Sequence, residues 1–428
     1  MTEAAMTKAA MTKAATNEAA THPIDVLIVG GGPVGATLGA LLARGTPTLP
    51  RRRVLLLEKS LPDRDWRPQG EEARVFALSR ASERILAAAG VWRRLRVLEG
   101  AANPYERMHV WPSFAAPRGE GSLTFDAAEL GEPDLGHIVG NDALQHAALA
   151  AFVAAGGEAR AAQLQDVVFD DGAVRVSSSA GEFRAKLLVG ADGGRSLVRQ
   201  AAGLGAEASD YEQLAIVAKV TSALPHEHTA WQRFLGEGTL ALLPLASGAS
   251  SIVWSLPSAR ARRLLEASAE IFAEELLAAS AGVLGRLTLA SERRSFPLRR
   301  VSAPHYVRER CALVGDAAHI VHPLAGQGAN LGFLDAATLA DVIAAAAGED
   351  PGALRLLRRY ERWRKSDNEA MGLAMSLLNR FLAVGDDPLA ALLQRGLGVV
   401  GRSALLRRPF ALRALGLSGE LPPSARGV

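Results

Sequence analysis

The chain has 428 residues, of which 49% are hydrophobic and 22% charged, as is ordinary for a globular protein of one large or two medium-sized domains. The net charge of +3 argues against a broad nucleic-acid-binding surface. The single cysteine, Cys311, excludes an internal disulfide and a cysteine metal cluster, and its apolar neighbours predict a buried, inert thiol.

The N-terminus begins with three near-identical pentapeptides that start at Met1, Met6 and Met11. They have neither the basic start nor the apolar core of a secretory signal. No uninterrupted apolar stretch approaches the roughly 18 residues of a membrane-spanning helix. We therefore expect a cytoplasmic protein with a disordered leader over residues 1–23, or with a true start at Met6 or Met11.

The first predicted strand leads into a glycine-rich turn. Asp25–Val29 is a short, β-branched apolar run typical of a buried parallel strand, and Gly30, Gly32 and Gly35 follow it. Gly30 permits a tight turn, and Gly32 lets the backbone approach a pyrophosphate. Gly35 lets the next helix pack closely, with its N-terminal N–H groups facing the phosphates.

A helix over 36–44 and a second strand over 53–57 complete this unit. The strand ends in Glu58, which lies 23 residues past Gly35, near the distance expected for an acid that binds ribose hydroxyls. The strand, glycines, helix, second strand and terminal acid together predict a Rossmann-like dinucleotide site.

The remaining chain contains both strands and helices. We predict helices over 82–89, 141–155, 261–279 and 329–347, and strands over 164–169, 174–178, 186–189, 215–221, 238–243 and 251–255. The pattern favours an α/β fold with a discontinuous nucleotide-binding domain over 24–213 and 299–350. A mostly antiparallel substrate-domain sheet is inserted at 214–298, and a helical region covers 351–428.

Two further glycine-bearing segments accompany the first. Gly190-Ala-Asp-Gly193 follows the strand at 186–189, and Gly315-Asp-Ala-Ala-His319 follows the strand that contains Cys311. In this order and spacing, the three segments indicate a flavin cofactor held by distant stretches of one domain. Because only one dinucleotide glycine motif is present, NAD(P)H is expected to bind transiently rather than in a second nucleotide domain.

The segment 315–332 resembles the aromatic flavoprotein monooxygenases of the para-hydroxybenzoate hydroxylase fold. Within them it is most similar to the ubiquinone-biosynthesis hydroxylases of the 2-polyprenylphenol hydroxylase type. The similarity lies in His322-Pro-Leu-Ala-Gly-Gln-Gly328 and Asn330-Leu-Gly332, and extends to 229–234 and 241–245. Two positions depart from the pattern, because Ala329 replaces a larger apolar residue and Glu72 replaces an aspartate.

The resemblance implies a set of residues that bind FAD without a covalent link. These are Gly30, Gly32, Gly35, Glu58, Arg74, Gln145, Asp192, Gly193, Asp316, Pro323, Gly328 and Asn330. The first four would hold the ADP half, Arg74 would lie near the pyrophosphate, and Gln145 and Asp316 would lie along the ribityl chain. Asp192 and Gly193 match a motif associated with both FAD and NAD(P)H. Pro323 and Gly328 would line the isoalloxazine ring, and a helix N-terminus would stabilise the anionic reduced flavin.

The implied reaction is hydroxylation of the aromatic ring of a polyprenylphenol in ubiquinone biosynthesis, with NAD(P)H and O2 and through a flavin C4a-hydroperoxide. The cofactor performs this chemistry, while the protein orients the substrate and excludes water. No side chain is assigned as a catalytic residue or general base. Two alternatives stay open: a hydroxylase of a small soluble aromatic, and a flavin-bound accessory protein without turnover. The ring carbon, the prenyl length and the choice between NADH and NADPH are also open.

Other side chains have simpler interpretations. The histidines lack metal-ligand spacing, so no metal site is predicted, and His319 and His322 are interpreted as structural. Arg195 and Arg199 follow the Asp-Gly segment at helical spacing and are interpreted as a helix-surface pair. Four apolar residues are interpreted either as sheet core or as substrate wall: Trp231, Phe234, Leu243 and Trp254.

The C-terminal segment from Leu389 to Val428 contains six arginines, one acid and interleaved leucines and valines. This pattern suits attachment to an anionic membrane surface, where each charge adds about 1 kcal/mol. A helix packed on the flavin domain with its arginines in water is the alternative. Contact with the inner face of a membrane or with a ubiquinone-biosynthesis complex therefore stays open, as does a homo-oligomer.

Overall fold

The structure is a computed structural model that describes residues 24–45, 51–63, 65–321 and 327–382, together with 408, 412, 415–416 and 419–426. It has the predicted mixed α/β architecture, with three sheets and a long helix toward the C-terminus.

The strands of the described residues are β1 (Ile24–Val29), β2 (Val54–Glu58), β3 (Val75–Ser79), β4 (Ala102–Tyr105), β5 (Arg107–Pro112), β6 (Leu123–Asp126), β7 (Gly136–Gly140), β8 (Glu158–Ala161), β9 (Leu164–Asp170), β10 (Ala173–Ser178), β11 (Gly181–Gly190), β12 (Glu207–Ser222), β13 (Thr229–Leu235), β14 (Gly238–Pro244), β15 (Ser250–Pro257), β16 (Leu287–Leu289), β17 (Arg294–Ser302), β18 (Val307–Arg308), β19 (Cys311–Leu313) and β20 (His319–Ile320).

The α-helices in the same part of the chain are α1 (Pro33–Arg44), α2 (Arg80–Ala88), α3 (Trp92–Leu95), α4 (Ala127–Leu130), α5 (Asn141–Ala154), α6 (Leu197–Ala201), α7 (Ser258–Glu266), α8 (Ala269–Ala279), α9 (Gln327–Ala345) and α10 (Leu354–Leu382). Short 3-10 turns lie at Gly315–Ala317 and Pro423–Ala425.

The first sheet contains the predicted nucleotide-binding unit. Its strand order is β18-β19-β11-β1-β2-β8, and β19, β11, β1, β2 and β8 are parallel. The hairpin of β9 and β10 joins β11 in antiparallel pairing. Leu27 and Leu56 at the centre of β1 and β2 are fully buried, as expected for a parallel sheet covered by helices.

The second sheet has the order β20-β17-β12-β15-β14-β13-β5-β6, with β16 on β12, and only its β13–β5 pair is parallel in the described residues. Its centre comes from the predicted insertion at 214–298. β5 and β6 come from earlier in the chain, and β12 and β17 extend beyond the two ends of the insertion. A third, small sheet contains β3, β7 and β4, whose residues contribute to a core shared with the second sheet.

Two helices cover one face of the second sheet. The predicted helix over 261–279 is divided into α7 and α8, because the hydroxyl of Ser268 accepts a hydrogen bond from the N–H of Ile271 at 3.3 Å and starts a new helix. Trp231 and Trp254 pack with Phe272 of α8 in the core beneath these helices.

A buried carboxylate joins the two long helices to the first sheet. Asp335 of α9 is fully buried and accepts hydrogen bonds from Arg364 Nε at 2.9 Å and Asn368 Nδ2 at 3.1 Å, both on α10. Its other oxygen accepts from the backbone N–H of Gly315 at 3.0 Å and binds His319 Nε2 at 2.6 Å. Burial alone would raise the pKa of Asp335, but the charges and hydrogen bonds of His319 and Arg364 hold it at about 2.

One helix of the described residues is long and apolar enough to cross a membrane: Gly328–Ala345, within α9. However, 72% of this segment is buried inside the protein, and it includes Asp335. This is the pattern of a core helix.

We predict that Asp335→Asn lowers the free energy of unfolding by about 3–5 kcal/mol at neutral pH, because the buried guanidinium of Arg364 would lose its charge partner. Since the pKa of Asp335 is depressed in the folded state, its stabilisation is complete above the ordinary carboxyl range and is lost as the pH falls from 3.8 to about 2. Urea unfolding of both proteins at neutral and acidic pH measures the difference.

The matched control is Asp367→Asn, which removes another carboxylate from Arg364, at 2.8 Å, but one with 27% of its side chain exposed. Its expected cost is about 1 kcal/mol or less. Equal destabilisation by the two variants would contradict the role given to Asp335.

Candidate active site

Four neighbouring parallel strands end at one edge of the first sheet, and the predicted cofactor segments follow them. Val29 pairs with Leu57 on one side and with Gly190 on the other, and Gly190 pairs with Leu313. Just beyond the strands, three backbone N–H groups bond to the neighbouring strand: Gly30 to Leu57 O at 2.9 Å, Ala191 to Val29 O at 2.8 Å, and Val314 to Gly190 O at 3.0 Å. The sheet therefore brings three loops together that are far apart in sequence.

The glycines of the first turn have different structural roles. A Cβ on Gly30, where φ is +111°, would overlap the carbonyl oxygen of Ala191, and a Cβ on Gly35 would overlap that of Gly30. A Cβ on Gly32 meets no described atom within 4 Å. Gly32 precedes α1, whose N-terminus has no side-chain cap among the described residues. The turn therefore keeps an open approach to the helix N-terminus, which suits a pyrophosphate.

Glu58 and Gln145 flank this turn. The carboxylate of Glu58 accepts a hydrogen bond from the N–H of Gly31, and Gln145 Nε2 donates to the carbonyl of the same residue at 3.1 Å. Both predicted residues thus lie beside the glycine turn, one from the end of β2 and one from α5.

Glu72, a departure from the family pattern, caps α5. Its carboxylate accepts from the N–H groups of Asp142 at 2.7 Å and Ala143 at 2.9 Å. Burial raises the pKa of Glu72 despite these hydrogen bonds. The longer acid therefore positions the helix that carries Gln145.

Asp192 is engaged by its own loop. Its oxygens accept hydrogen bonds from the Ser196 hydroxyl and from the N–H groups of Leu197 at 2.7 Å and Val198 at 3.1 Å, so that it caps α6. Gly193 beside it has φ +77°. The structure thus shows these two residues shaping the loop after β11.

Arg199 joins this loop to the Gly-Asp segment. It is 7% exposed and donates to the carbonyls of Gly194 at 2.8 Å and Ala317 at 2.7 Å. The predicted surface location is therefore wrong for Arg199, because α6 directs this side chain toward the loop after β19. Arg195 is exposed, as predicted.

Asp316 is accessible to solvent although protein atoms surround it. A carboxylate can be both accessible and surrounded by protein when it faces a cleft. Burial raises the pKa of Asp316, while the charges of His319 and Arg74 lower it. The guanidinium of Arg74 lies 5.1 Å from the centre of the Phe296 ring on β17. Arg74 therefore lies between the Gly-Asp loop and the second sheet.

Asn330 ties the start of α9 to β3 and α2. Its Oδ1 accepts from the N–H of Ser79 at 2.9 Å and the hydroxyl of Ser82 at 2.7 Å, and its Nδ2 donates to the carbonyl of Ala77 at 3.0 Å. In this structure, the amide of Asn330, which was predicted to bind the cofactor, is therefore hydrogen-bonded to protein groups. Gly328 lies in the first turn of α9 with open space at its Cβ position, whereas Pro323 and His322 lie outside the described residues.

The second sheet presents its other face to the cofactor-binding loops. Ser251 Oγ donates to the carbonyl of Ala73 at 2.7 Å, and Phe296 lies against Arg74. Phe234 and Leu243 are on this face, whereas Trp231 and Trp254 are in the core under α7 and α8. The tryptophans are therefore core. Phe234 is also buried, at 1% exposure, in a small cluster with Val110, and Leu243 is partly buried, so only the side of the sheet on which they lie distinguishes them from the tryptophans.

A cluster of ligand-type side chains lies elsewhere, where atoms of Glu83, Asp134 and His137 are all within 4.8 Å of one another. Arg80 already pairs with both acids, at 3.3 Å from Asp134. Burial and the nearby charge of Arg80 lower the pKa of His137 to about 4. The cluster is therefore an ion-pair network organised by Arg80.

The assembled loops fit the parts of FAD. Gly32 and the uncapped α1 offer an open site for a pyrophosphate, Glu58 lies where a ribose-binding acid is needed, and Asp316 is an accessible carboxylate for polyol hydroxyls.

Comparisons with known proteins also indicate that the chain binds FAD. A family model described as an FAD binding domain matches residues 23–372. The chain is 35% identical to the 3-demethoxyubiquinol 3-hydroxylase of Escherichia coli over 92% of this chain and 99% of that one. It is 36% identical to the ubiquinone hydroxylase UbiL of Rhodospirillum rubrum, over 94% and 93% of the two chains. The p-nitrophenol 4-monooxygenase PnpA of Pseudomonas putida DLL-E4 has the same fold, with a TM-score of 0.72, 18% identity and coverage of 92% and 98%.

The chain belongs to the FAD-binding-domain family of flavoprotein monooxygenases. The two curated relatives given above are hydroxylases by name, and the family resemblance inferred from the sequence is confirmed.

The sequence interpretation missed Arg199 and Asp335 as parts of the support for this site. Asp335 interrupts the apolar helical run from Leu331 to Ala340, and an acid in such a run signals a buried partner. The partner itself, Arg364, has no local pattern that identifies it, because it lies on a different helix.

We predict that Gly32→Ala weakens FAD binding at least tenfold while leaving the apoprotein folded. The added Cβ meets open space in the protein but would occupy the approach to the pyrophosphate. Fluorescence titration of apoprotein with FAD, together with thermal unfolding of the apoprotein, measures both quantities.

Gly35→Ala is the control for a packing effect, since its Cβ would overlap a backbone oxygen. It should lower apoprotein stability as well as FAD affinity. Normal FAD affinity in a folded Gly32→Ala protein would show that the segment is only a turn.

Proposed function

We propose that this protein is an FAD-dependent monooxygenase that hydroxylates the aromatic ring of a prenylated phenol in ubiquinone biosynthesis, with NAD(P)H and O2 as co-substrates. The curated relatives named above act, by their names, on ubiquinone or a ubiquinol precursor. A further relative, the human mitochondrial ubiquinone biosynthesis monooxygenase COQ6, is 33% identical over 87% of this chain and 88% of its own.

The observation that carries the proposal is an uncharged, mostly apolar row at the middle of the face of the second sheet that meets the cofactor-binding loops. The register places Val110, Gln232, Ala241, Val253 and Val217 in this row across β5, β13, β14, β15 and β12, and Phe234 packs against Val110. A neutral, lipid-like ring suits this wall better than a benzoate, whose charge would need a buried partner.

The residues of the site would have different roles. Gly32 would admit the pyrophosphate at the turn that Gly30 and Gly35 shape, Glu58 would bind the ribose and Asp316 the ribityl hydroxyls, with Arg74, Gln145, Asp192, Gly193, Gly328 and Asn330 around them. Pro323, which lies outside the described residues, is included from the family resemblance alone. Bound FAD would supply the redox chemistry of hydride acceptance and oxygen activation. The apolar sheet face would keep water from the reacting ring.

NAD(P)H would have no binding domain of its own. Within the described residues one glycine turn of dinucleotide type is present, and it precedes α1. NAD(P)H would therefore bind transiently at the surface of the same site.

We expect the FAD-loaded protein to hydroxylate ortho-geranylphenol at least tenfold more efficiently, as kcat/KM, than para-hydroxybenzoate. Mass spectrometry of the products, with NADH and NADPH each tested as reductant, measures this ratio and the stoichiometry of the reaction.

Higher efficiency with para-hydroxybenzoate would favour a hydroxylase of small soluble aromatics. If the protein binds FAD but forms no product from either compound, it would instead be an accessory protein. Accumulation of lipid-quinone intermediates in cells lacking the protein would give an independent check.

We also propose that the C-terminal segment, most of which lies outside the described residues, attaches the protein to an anionic membrane, where a prenylated substrate would be found. Co-sedimentation with anionic liposomes should decrease from low to high salt for the full chain and be weak for a chain that ends at Pro388. Equal, salt-independent binding of the two proteins would exclude the segment as the attachment site.

A further inference from the structure

The face of the second sheet that meets the cofactor-binding loops carries a buried amide. Gln232, on β13, is 4% exposed. Its neighbours along the strand, Trp231 and Arg233, point the other way: Trp231 packs in the core with α7 and α8, and Arg233 donates to the carbonyls of Ala278 and Ala279 at the end of α8. Because side chains alternate along a strand, Gln232 points away from the helices and toward the site.

Strand register places Gln232 at the middle of this face. It pairs with Ala241 of β14 and with Val110 of β5, and Ala241 pairs in turn with Val253. Directly paired residues lie on the same face, so these four side chains form one row across the sheet.

The two neighbouring rows each contact the cofactor-binding domain. One row contains Leu243 and Ser251, and Ser251 donates to the carbonyl of Ala73. The other row runs from Thr239 through Ser255 and Ala215 to Phe296, which lies against Arg74. The row of Gln232 therefore lies between the row that contacts Ala73 and the row that contacts Arg74, whose charge acts on Asp316.

The chemistry of this row is apolar apart from the amide. Between β5 and β12, Val110, Ala241, Val253 and Val217 offer no hydrogen bond from their side chains, and Gln232 is the polar side chain of this part of the row. An amide placed among apolar side chains, with little exposed surface, is suited to a hydrogen-bond partner that arrives with a ligand.

We infer that Gln232 binds the ring hydroxyl of the phenolic substrate and so determines how the ring is oriented in the site. This rests on the proposed function. The amide has a carbonyl that accepts the phenol O–H and an N–H₂ group that donates to the phenol oxygen. It has no charge and takes no proton, so Gln232 is an orienting and specificity-determining residue rather than a general base.

The test compares two ligands on three proteins. Ortho-geranylphenol and its analogue without the hydroxyl, geranylbenzene, are titrated into FAD-loaded wild type, Gln232→Leu and Gln213→Leu, with the flavin absorbance as the readout. Gln213→Leu is the matched control, because it makes the same chemical change on β12 of the same sheet but beside Pro257 and Leu298.

Wild type and Gln213→Leu should bind the phenol about tenfold more tightly than geranylbenzene, equivalent to about 1.4 kcal/mol. Gln232→Leu should bind the two with a ratio near one. Each protein is characterised by the ratio of its affinities for the two ligands. A general loss of stability or of FAD content lowers both affinities together and so does not mimic this result. If Gln232→Leu does not fold, Gln232→Met replaces it with an unbranched side chain of similar length.

A tenfold preference that persists in Gln232→Leu, or a wild type without any preference, would overturn the inference. In turnover, the leucine variant should also release several-fold more hydrogen peroxide per NAD(P)H oxidised, because a misoriented ring intercepts less of the activated oxygen. Hydroxyl recognition through Gln232 without any hydroxylated product would refute the proposed function and leave this inference standing.

Discussion

The parallel register of β2, β1, β11 and β19 is the constraint on which the rest of the site depends. Once Leu57, Val29, Gly190 and Leu313 lie side by side, the loops that follow them must emerge at the same edge of the sheet. Hydrogen bonds from the N–H groups of Gly30, Ala191 and Val314 to the ends of the neighbouring strands then align these loops. This is the edge where open α/β sheets bind ligands, because helix N-termini and free backbone groups converge there.

Charged groups inside the fold hold the loops that the sheet assembles. Arg199 connects the loop after β11 to the Gly-Asp segment, and Asp335 connects that segment, through the N–H of Gly315, to α9 and α10. Buried charges need hydrogen bonds or a charged partner: Arg199 donates to two backbone carbonyls, and Asp335 has both hydrogen bonds and the charge of Arg364. The position of Asp316 thus depends on residues from several separate parts of the chain.

The two faces of the second sheet pack against different parts of the fold. One face, with Trp231 and Trp254, is buried under α7 and α8. The other meets the cofactor-binding loops through Ser251 and Phe296. Strand alternation makes this division possible, since each strand can supply core on one side and a substrate wall on the other.

The sequence by itself determined the elements with strong local patterns: the buried strand β1, the glycine turn, the helix α1, the strand β2 that ends in Glu58, and the motifs that identify the family. Local spacing reports these because each depends on backbone geometry within one short segment. Only the tertiary structure decided that β5 and β6 join the second sheet, that Arg199 is buried, and that Arg364 pairs with Asp335. It also decided on which face of the second sheet each of the four large apolar residues lies. These features depend on pairing between distant segments, and a side chain's own neighbours in sequence carry no record of that pairing.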